Sequence, residues 1–281
     1  MLIGTMNHPG RDVFTEVEWM AAMGFEFIDL TLEPPLAGAR SIDVPRLQAV
    51  LQETRLQVVG HTAYYLPLSS PFESLRRAAV DELKLCLELF ARLGVKWMNL
   101  HPGGQAPLHD RRFIIDRNIQ SIRELLPLGQ KLGIGLMIEN LPGSFNSVAQ
   151  VGELLEPIPE LGLHLDIGHA NLMSDHNTTD ELLKVYGRRL RHVHLHDNKG
   201  GSADLHLPLG AGTLDTPHYI RSLQASGYDG TITLEVFTPD RRHLAYSRDV
   251  LRSLWTAEKN GGAKRPATAP ANELAAAGCC H

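Results

Sequence analysis

Residues 188–212 read RRLRHVHLHDNKGGSADLHLPLGAG. The segment opens as a strand, with Leu190, Val193 and Leu195 among the imidazoles of His192, His194 and His196. Strand side chains alternate between faces, so the three histidines share one face. A short polar loop containing glycines follows, and Asp204 and His206 then arrive two residues apart. Imidazole and carboxylate gathered in this way suit zinc, manganese or iron. The plainer alternative is a solvated loop with surface histidines.

The same arrangement recurs along the chain. His61 closes LQVVGH, His101 closes WMNLH, Glu139 closes GLMIE, Asp166 and His169 lie in GLHLDIGH, and Glu235 closes TITLE. Each polar residue stands at the carboxyl end of a short apolar run, beside a glycine, proline or polar break. The apolar runs predict eight strands: 2–6, 25–32, 56–61, 97–101, 135–140, 162–167, 191–196 and 231–237. Helical patterns fall between and after them, at 13–23, 45–53, 72–93, 112–132, 148–155, 179–186, 216–225 and 241–258. Ser41 and Asp43 offer caps for the second helix, and Gly94 and Gly133 are suited to end the third and fourth. Strict strand–helix alternation implies parallel strands with right-handed crossovers. Eight repeats in one domain over residues 1–258 predict an α/β fold, the (β/α)8 TIM barrel, in which all strand ends converge on one mouth. An open doubly wound sheet would call for a glycine-rich phosphate turn, and no G-x-G-x-x-G is present.

Composition is that of an ordinary globular protein: 281 residues, 43% hydrophobic and 21% charged. A net charge of −5 gives no general attraction to nucleic acid, so a small-molecule substrate is expected. No apolar run is long enough to span a membrane. The N-terminus shows no secretory pattern, so the expected location is cytoplasmic. Three cysteines cannot form a disulfide framework. Residues 259–281, rich in Ala, Gly and Pro, read as a disordered tail, and its Cys279, Cys280 and His281 are a minor metal-binding candidate.

The motifs LDIGH, HVHLHDN and DLHLPLG resemble those of the xylose-isomerase-like barrel superfamily, which holds sugar isomerases and epimerases as well as endonuclease IV. The resemblance covers roughly residues 1–257. In the isomerases and epimerases it implies one metal held by Glu139, Asp166, His194 and Glu235, with the two glutamates also serving as catalytic acid and base. In endonuclease IV it implies a second metal at His61, His101 and a bridging Glu139, and a third at His169, Asp204 and His206. The chain carries acceptable ligands at all nine positions. On that completeness the first reading is a multinuclear phosphoesterase acting on a phosphorylated small molecule through attack by a metal-held hydroxide. Two ions about 3.5–4 Å apart can stabilise both the attacking and the leaving oxygen. The alternative is a sugar or sugar-phosphate isomerase/epimerase on one metal, with His101 and His169 holding hydroxyls. An abasic-site DNA endonuclease is less favoured. Between one and three zinc, manganese or iron ions per chain are expected.

Tyr64 and Tyr65 read as an aromatic wall for substrate, and His196 and Asn198 as further substrate contacts; His192 or His196, on the same face as His194, could instead take its place as ligand, and Asn198 could instead be a loop or supporting residue. Tyr64 also stands where endonuclease IV inserts a tyrosine into DNA. Asp197 reads as a loop or supporting residue. His8, His109, His164, His176, His218 and His243 carry no supporting pattern and are taken as structural or exposed. Oligomeric state is not legible in the sequence.

Overall fold

The structure is a computed structural model that describes residues 1–104, 106 and 108–260. Eight strands run β1 Leu2–Met6, β2 Phe27–Leu32, β3 Gln57–Thr62, β4 Trp97–Leu100, β5 Gly135–Glu139, β6 Gly162–Asp166, β7 Leu190–Leu195 and β8 Thr231–Leu234. All neighbours pair in parallel, and β1 pairs β8 from Leu2↔Thr231 to Thr5↔Leu234, which closes the barrel. The helices outside it are α1 Val13–Ala22, α2 Val44–Thr54, α3 Glu73–Arg92, α4 Arg111–Leu132, α5 Val148–Leu155, α6 Thr179–Tyr186, α7 Thr216–Ala225 and α8 Arg242–Asn260. The expected (β/α)8 barrel is therefore the fold. Helix α8 runs two residues beyond the expected end of the domain. The rest of the tail, with Cys279, Cys280 and His281, lies outside the described residues. No described helix is long and apolar enough to cross a membrane.

Local chemistry sets the helix ends. Asp12, Asp43, Asp110 and Asp215 cap α1, α2, α4 and α7 by accepting from a backbone N–H in the first turn. Ser147 and Gln150 form a capping box on α5. Ser41 instead bonds the Gly38 carbonyl. Regular pairing stops earlier than the apolar runs suggest. β4 ends before His101 and β8 before Glu235, because at the rim the chain leaves the ladder and turns into the βα loops.

The core has two parts. The apolar stripes of the helices, with Val17, Met20, Leu83, Leu87 and Leu125 fully buried, pack on the outside of the barrel. Inside, side chains from alternate positions fill the lumen. A Cβ on Gly4 would lie 2.5 Å from the ring of Phe27. The ring of Phe27 in turn lies 5.8 Å from that of His192. Between this apolar floor and the mouth the lumen is polar, and that layer positions the site.

Candidate metal centre and active site

The structure brings all nine expected ligands to the carboxyl-terminal mouth of the barrel. His61, Glu139, Asp166 and His194 are on strands β3, β5, β6 and β7, and His101 and Glu235 directly follow β4 and β8. His169 opens a short 3₁₀ turn after β6, and Asp204 and His206 come from the β7–α7 loop. One donor atom each from Glu139, Asp166, His194 and Glu235 lies within 4.8 Å of the others. The same holds for His61, His101 and Glu139, and for His169, His196, Asp204 and His206.

The contacts are dense. Glu139 Oε2 lies 2.9 Å from His101 Nε2 and 3.3 Å from His164 Nδ1, and its Oε1 lies 3.2 Å from His169 Nδ1. His194 Nδ1 is 3.0 Å from Glu235 Oε2 and 3.9 Å from Asp166 Oδ2. Asp204 Oδ2 is 3.2 Å from His169 Nε2 and 3.0 Å from His206 Nε2.

Four carboxylates in so small a volume create a strong negative potential. Burial alone would push the carboxyls of Glu139 and Asp166 up, but the neighbouring histidines hold both well below the ordinary range. Burial would likewise lower His169 and His194. Asp166, Asp204 and Glu139 around the first, and Glu235 and Asp29 around the second, instead hold both well above the usual imidazole range. For His206, burial is outweighed by Asp204 and Glu235, and its pKa is raised to about 9. His61, with fewer acids near it, is pushed down to about 4 by burial. Without a metal, the imidazoles must carry the positive charge that the carboxylates demand. Asp166 Oδ2, His101 Nδ1 and His196 Nε2 are buried with no hydrogen-bond partner. Orphaned donor atoms, an anionic potential and a mixed oxygen–nitrogen donor set fit a divalent cation.

A second set of side chains, two residues down each strand, holds the first set. Asn99 Nδ2 donates to Glu139 Oε2 at 2.9 Å, and its Oδ1 accepts from the Thr62 amide. Asp29, fully buried on β2, accepts through Oδ2 from His194 Nε2 at 2.7 Å, Thr233 Oγ1 at 2.9 Å and His192 Nε2 at 3.3 Å. His164, read from the sequence as structural or exposed, is fully buried beside Glu139 and His194. Sequence reasoning missed Asp29, Asn99 and His164. The signal was available, because each is an interior polar residue in an otherwise apolar strand. His164 precedes Asp166 by one full strand period, as Asn99 precedes His101.

The β7–α7 loop is tied by Asp197. Its carboxylate accepts from the amides of Asn198, Gly210, Gly212 and Leu214 at 2.8–3.1 Å. Asn198 is fully buried, with Nδ2 on the Gly168 carbonyl and Oδ1 taking Asn171 Nδ2 and the Gly200 amide. Its side chain thus serves the loop. His196 is also fully buried, stacked on His206 at 4.2 Å and 3.4 Å from Asp166, which places it among the metal-capable donors. Tyr64 and Tyr65 are exposed at the rim, edge-to-face with each other. Among the remaining histidines, His176 and His218 pair with surface acids, His109 stacks on Phe113 and His243 meets Thr238.

Above these candidate ligands lies a cavity of about 1160 Å³, into which Glu139, Glu235, His101 and His169 face. A model of the xylose isomerase-like TIM barrel matches residues 17–254. The chain belongs to that family. It is similar to fructoselysine 3-epimerase from Escherichia coli O157:H7, 24% identical over 77% of this chain and 82% of that one. It is also similar to a probable endonuclease 4 from Phocaeicola vulgatus, 28% identical over 65% of this chain and 71% of that one. Among solved structures, a D-tagatose 3-epimerase-like protein superposes with a TM-score of 0.84 at 24% identity, covering 94% of this chain and 100% of that one. The IOLI protein, crystallised with a binding zinc atom, superposes with a TM-score of 0.76 at 17% identity, covering 92% and 97%. The chain thus has relatives of both kinds weighed from the sequence, an epimerase and a probable endonuclease 4. The likenesses favour the isomerase or epimerase alternative over the phosphoesterase that was placed first.

Proposed function

We propose that this chain is a metal-dependent sugar epimerase or isomerase. One observation carries the reading. Of the four residues that could share a single ion, Glu139 and Glu235 face the cavity, whereas Asp166 and His194 are fully buried behind it. Two carboxylates thus serve both ion and substrate, and two residues serve the ion alone. A divalent ion held there would polarise a carbonyl and a neighbouring hydroxyl.

The residues of the chain perform the proton transfer. One glutamate removes the proton from the carbon next to the carbonyl, and the electron pair moves into the carbonyl. The other glutamate returns a proton to the opposite face, which inverts the centre. A buried carboxylate beside a cation is a competent base when the proton it takes is acidified by an adjacent carbonyl. His101 and His169, both on the cavity wall, are placed to hold substrate hydroxyls. The similarity to fructoselysine 3-epimerase supports this chemistry. The test is incubation with ketoses in deuterated water. Deuterium should enter at the carbon beside the carbonyl, and should not do so with Glu139→Gln or Glu235→Gln.

A second reading has its own support. The His61–His101–Glu139 and His169–His196–Asp204–His206 groups flank the first, so up to three ions could be held side by side. That arrangement fits phosphoester hydrolysis, in line with the likeness to endonuclease 4. Incorporation of ¹⁸O from water into the phosphomonoester released from a phosphodiester, with no carbon-bound deuterium exchange, would move the assignment to this chemistry. A small-molecule substrate suits both readings, because the ligands sit at the floor of a concave pocket.

A further inference from the structure

The cavity is larger than the chemistry at its floor requires. Its volume of about 1160 Å³ exceeds the roughly 300–1,000 Å³ of pockets that take drug-sized ligands. A free monosaccharide is smaller than such ligands. Space therefore extends well beyond a sugar flanked by Glu139 and Glu235.

At the wall formed by the β1–α1 and β8–α8 segments the lining becomes cationic. The Arg241 guanidinium lies 4.2 Å from the centre of the Trp19 ring and donates to Glu16. Glu16 is 4% exposed and also lies 4.0 Å from Arg11 Nη1. Both arginine side chains line the cavity and remain open to it, 29% exposed for Arg241 and 49% for Arg11. Two guanidiniums share one carboxylate, and neither pairs with another acid among the described residues. Glu33, also on the cavity wall, forms no ion pair with either arginine among the described residues.

The geometry is suited to recognition. Stacking on Trp19 and the bond to Glu16 fix the plane of the Arg241 guanidinium before any ligand arrives. The bond to Glu16 uses part of a five-donor fork, and the remaining donors suit the paired oxygens of an oxyanion. We propose that Arg241 and Arg11, set on Trp19 and Glu16, form a subsite for an anionic group, carboxylate or phosphate, on a second moiety joined to the sugar. The proposal rests on the epimerase reading for what occupies the floor. The anion subsite follows from the wall itself.

The test is calorimetric titration of the full, metal-loaded chain with D-fructose, D-fructose 6-phosphate and fructosyl-glycine. Wild-type protein should bind one or both anionic probes at least tenfold more tightly than fructose. The probe with the larger gain identifies phosphate or carboxylate as the group read. The Arg11→Met/Arg241→Met variant should lose that gain while its affinity for fructose stays the same. Raising the ionic strength should weaken fructose 6-phosphate and leave fructose unchanged in wild-type protein, a readout that does not depend on the variant folding. Equal affinities for the three probes, no binding of either anionic probe, or a gain that persists in the double variant would overturn the subsite. Failure of the epimerase reading shows separately, as bound ketose that exchanges no carbon-bound hydrogen in deuterated water.

Discussion

Replacing Asp29 by asparagine should weaken metal binding although Asp29 touches no metal. Its carboxylate is fully buried, and Oδ2 accepts from His194 Nε2 at 2.7 Å. With its proton fixed on Nε2, the imidazole presents the Nδ1 lone pair to the cluster, where Glu235 is 3.0 Å away, Asp166 3.9 Å and Glu139 4.0 Å. Burial alone would raise the Asp29 carboxyl, but His192 and His194 hold it well below its ordinary range, so it is ionised. Asparagine keeps the length and removes the charge. A charge-assisted hydrogen bond contributes about 1.5–3 kcal/mol and a neutral one about 0.5–1.5 kcal/mol. The difference is on the order of 1–2 kcal/mol. Loss of the outer partner of a metal-ligating histidine costs about 10–100-fold in affinity, or roughly 1.4–2.7 kcal/mol. The two routes agree, and a loss of about tenfold or more is expected. The assay is competition for zinc or manganese against a chelator of known affinity, on protein whose circular dichroism matches wild type. An affinity within about twofold of wild type in a folded variant would refute the argument that Asp29 orients His194.

Four further outcomes follow from the same geometry. Glu139→Gln and Glu235→Gln should each slow substrate carbon–hydrogen exchange by about 10²–10⁴-fold, with the fold intact by circular dichroism. Asp204→Asn combined with His206→Ala removes two donors of the outer group; elemental analysis should show fewer ions per chain if that group binds metal, and an unchanged single ion if only the inner group does. In metal-free protein, His206 titrates at about 9 against about 6.5 unfolded. The folded state then binds more protons, so its stability contribution is complete below about pH 6.5 and is lost as pH rises towards 9. His169 and His194 act in the same direction. Thermal melts should decline across that window, and metal-loaded protein, whose coordinated imidazoles are already neutral, should show a smaller decline. Asp197→Ala leaves four backbone amides without their shared acceptor. Limited proteolysis should then cut the β7–α7 loop, and stability should fall by about 1–3 kcal/mol.

The sequence by itself determined the architecture and which polar residues stand at the mouth. Alternation of apolar runs with amphipathic helices is a local property, set by the periods of strand and helix. Eight repeats of it leave little besides a barrel, and a barrel sends every strand end to one rim. His61, His101, Glu139, Asp166, His194 and Glu235 were legible because each marks the end of such a run. Which residues support them was decided by tertiary structure. Asp29 reaches His194 across 165 positions of sequence, and Asn99 reaches Glu139 across 40. Those contacts depend on the strand register and on how the barrel closes, neither of which has a local signature. The same holds for Asn198, which read either as a substrate contact or as a loop residue and whose buried side chain ties the loop to Gly168 and Asn171. It holds also for Arg11 and Arg241, which meet over Glu16 only because the last helix closes beside the first. A polar side chain can be placed on a face by counting along a strand, but its partner is fixed only when the chain has folded around it.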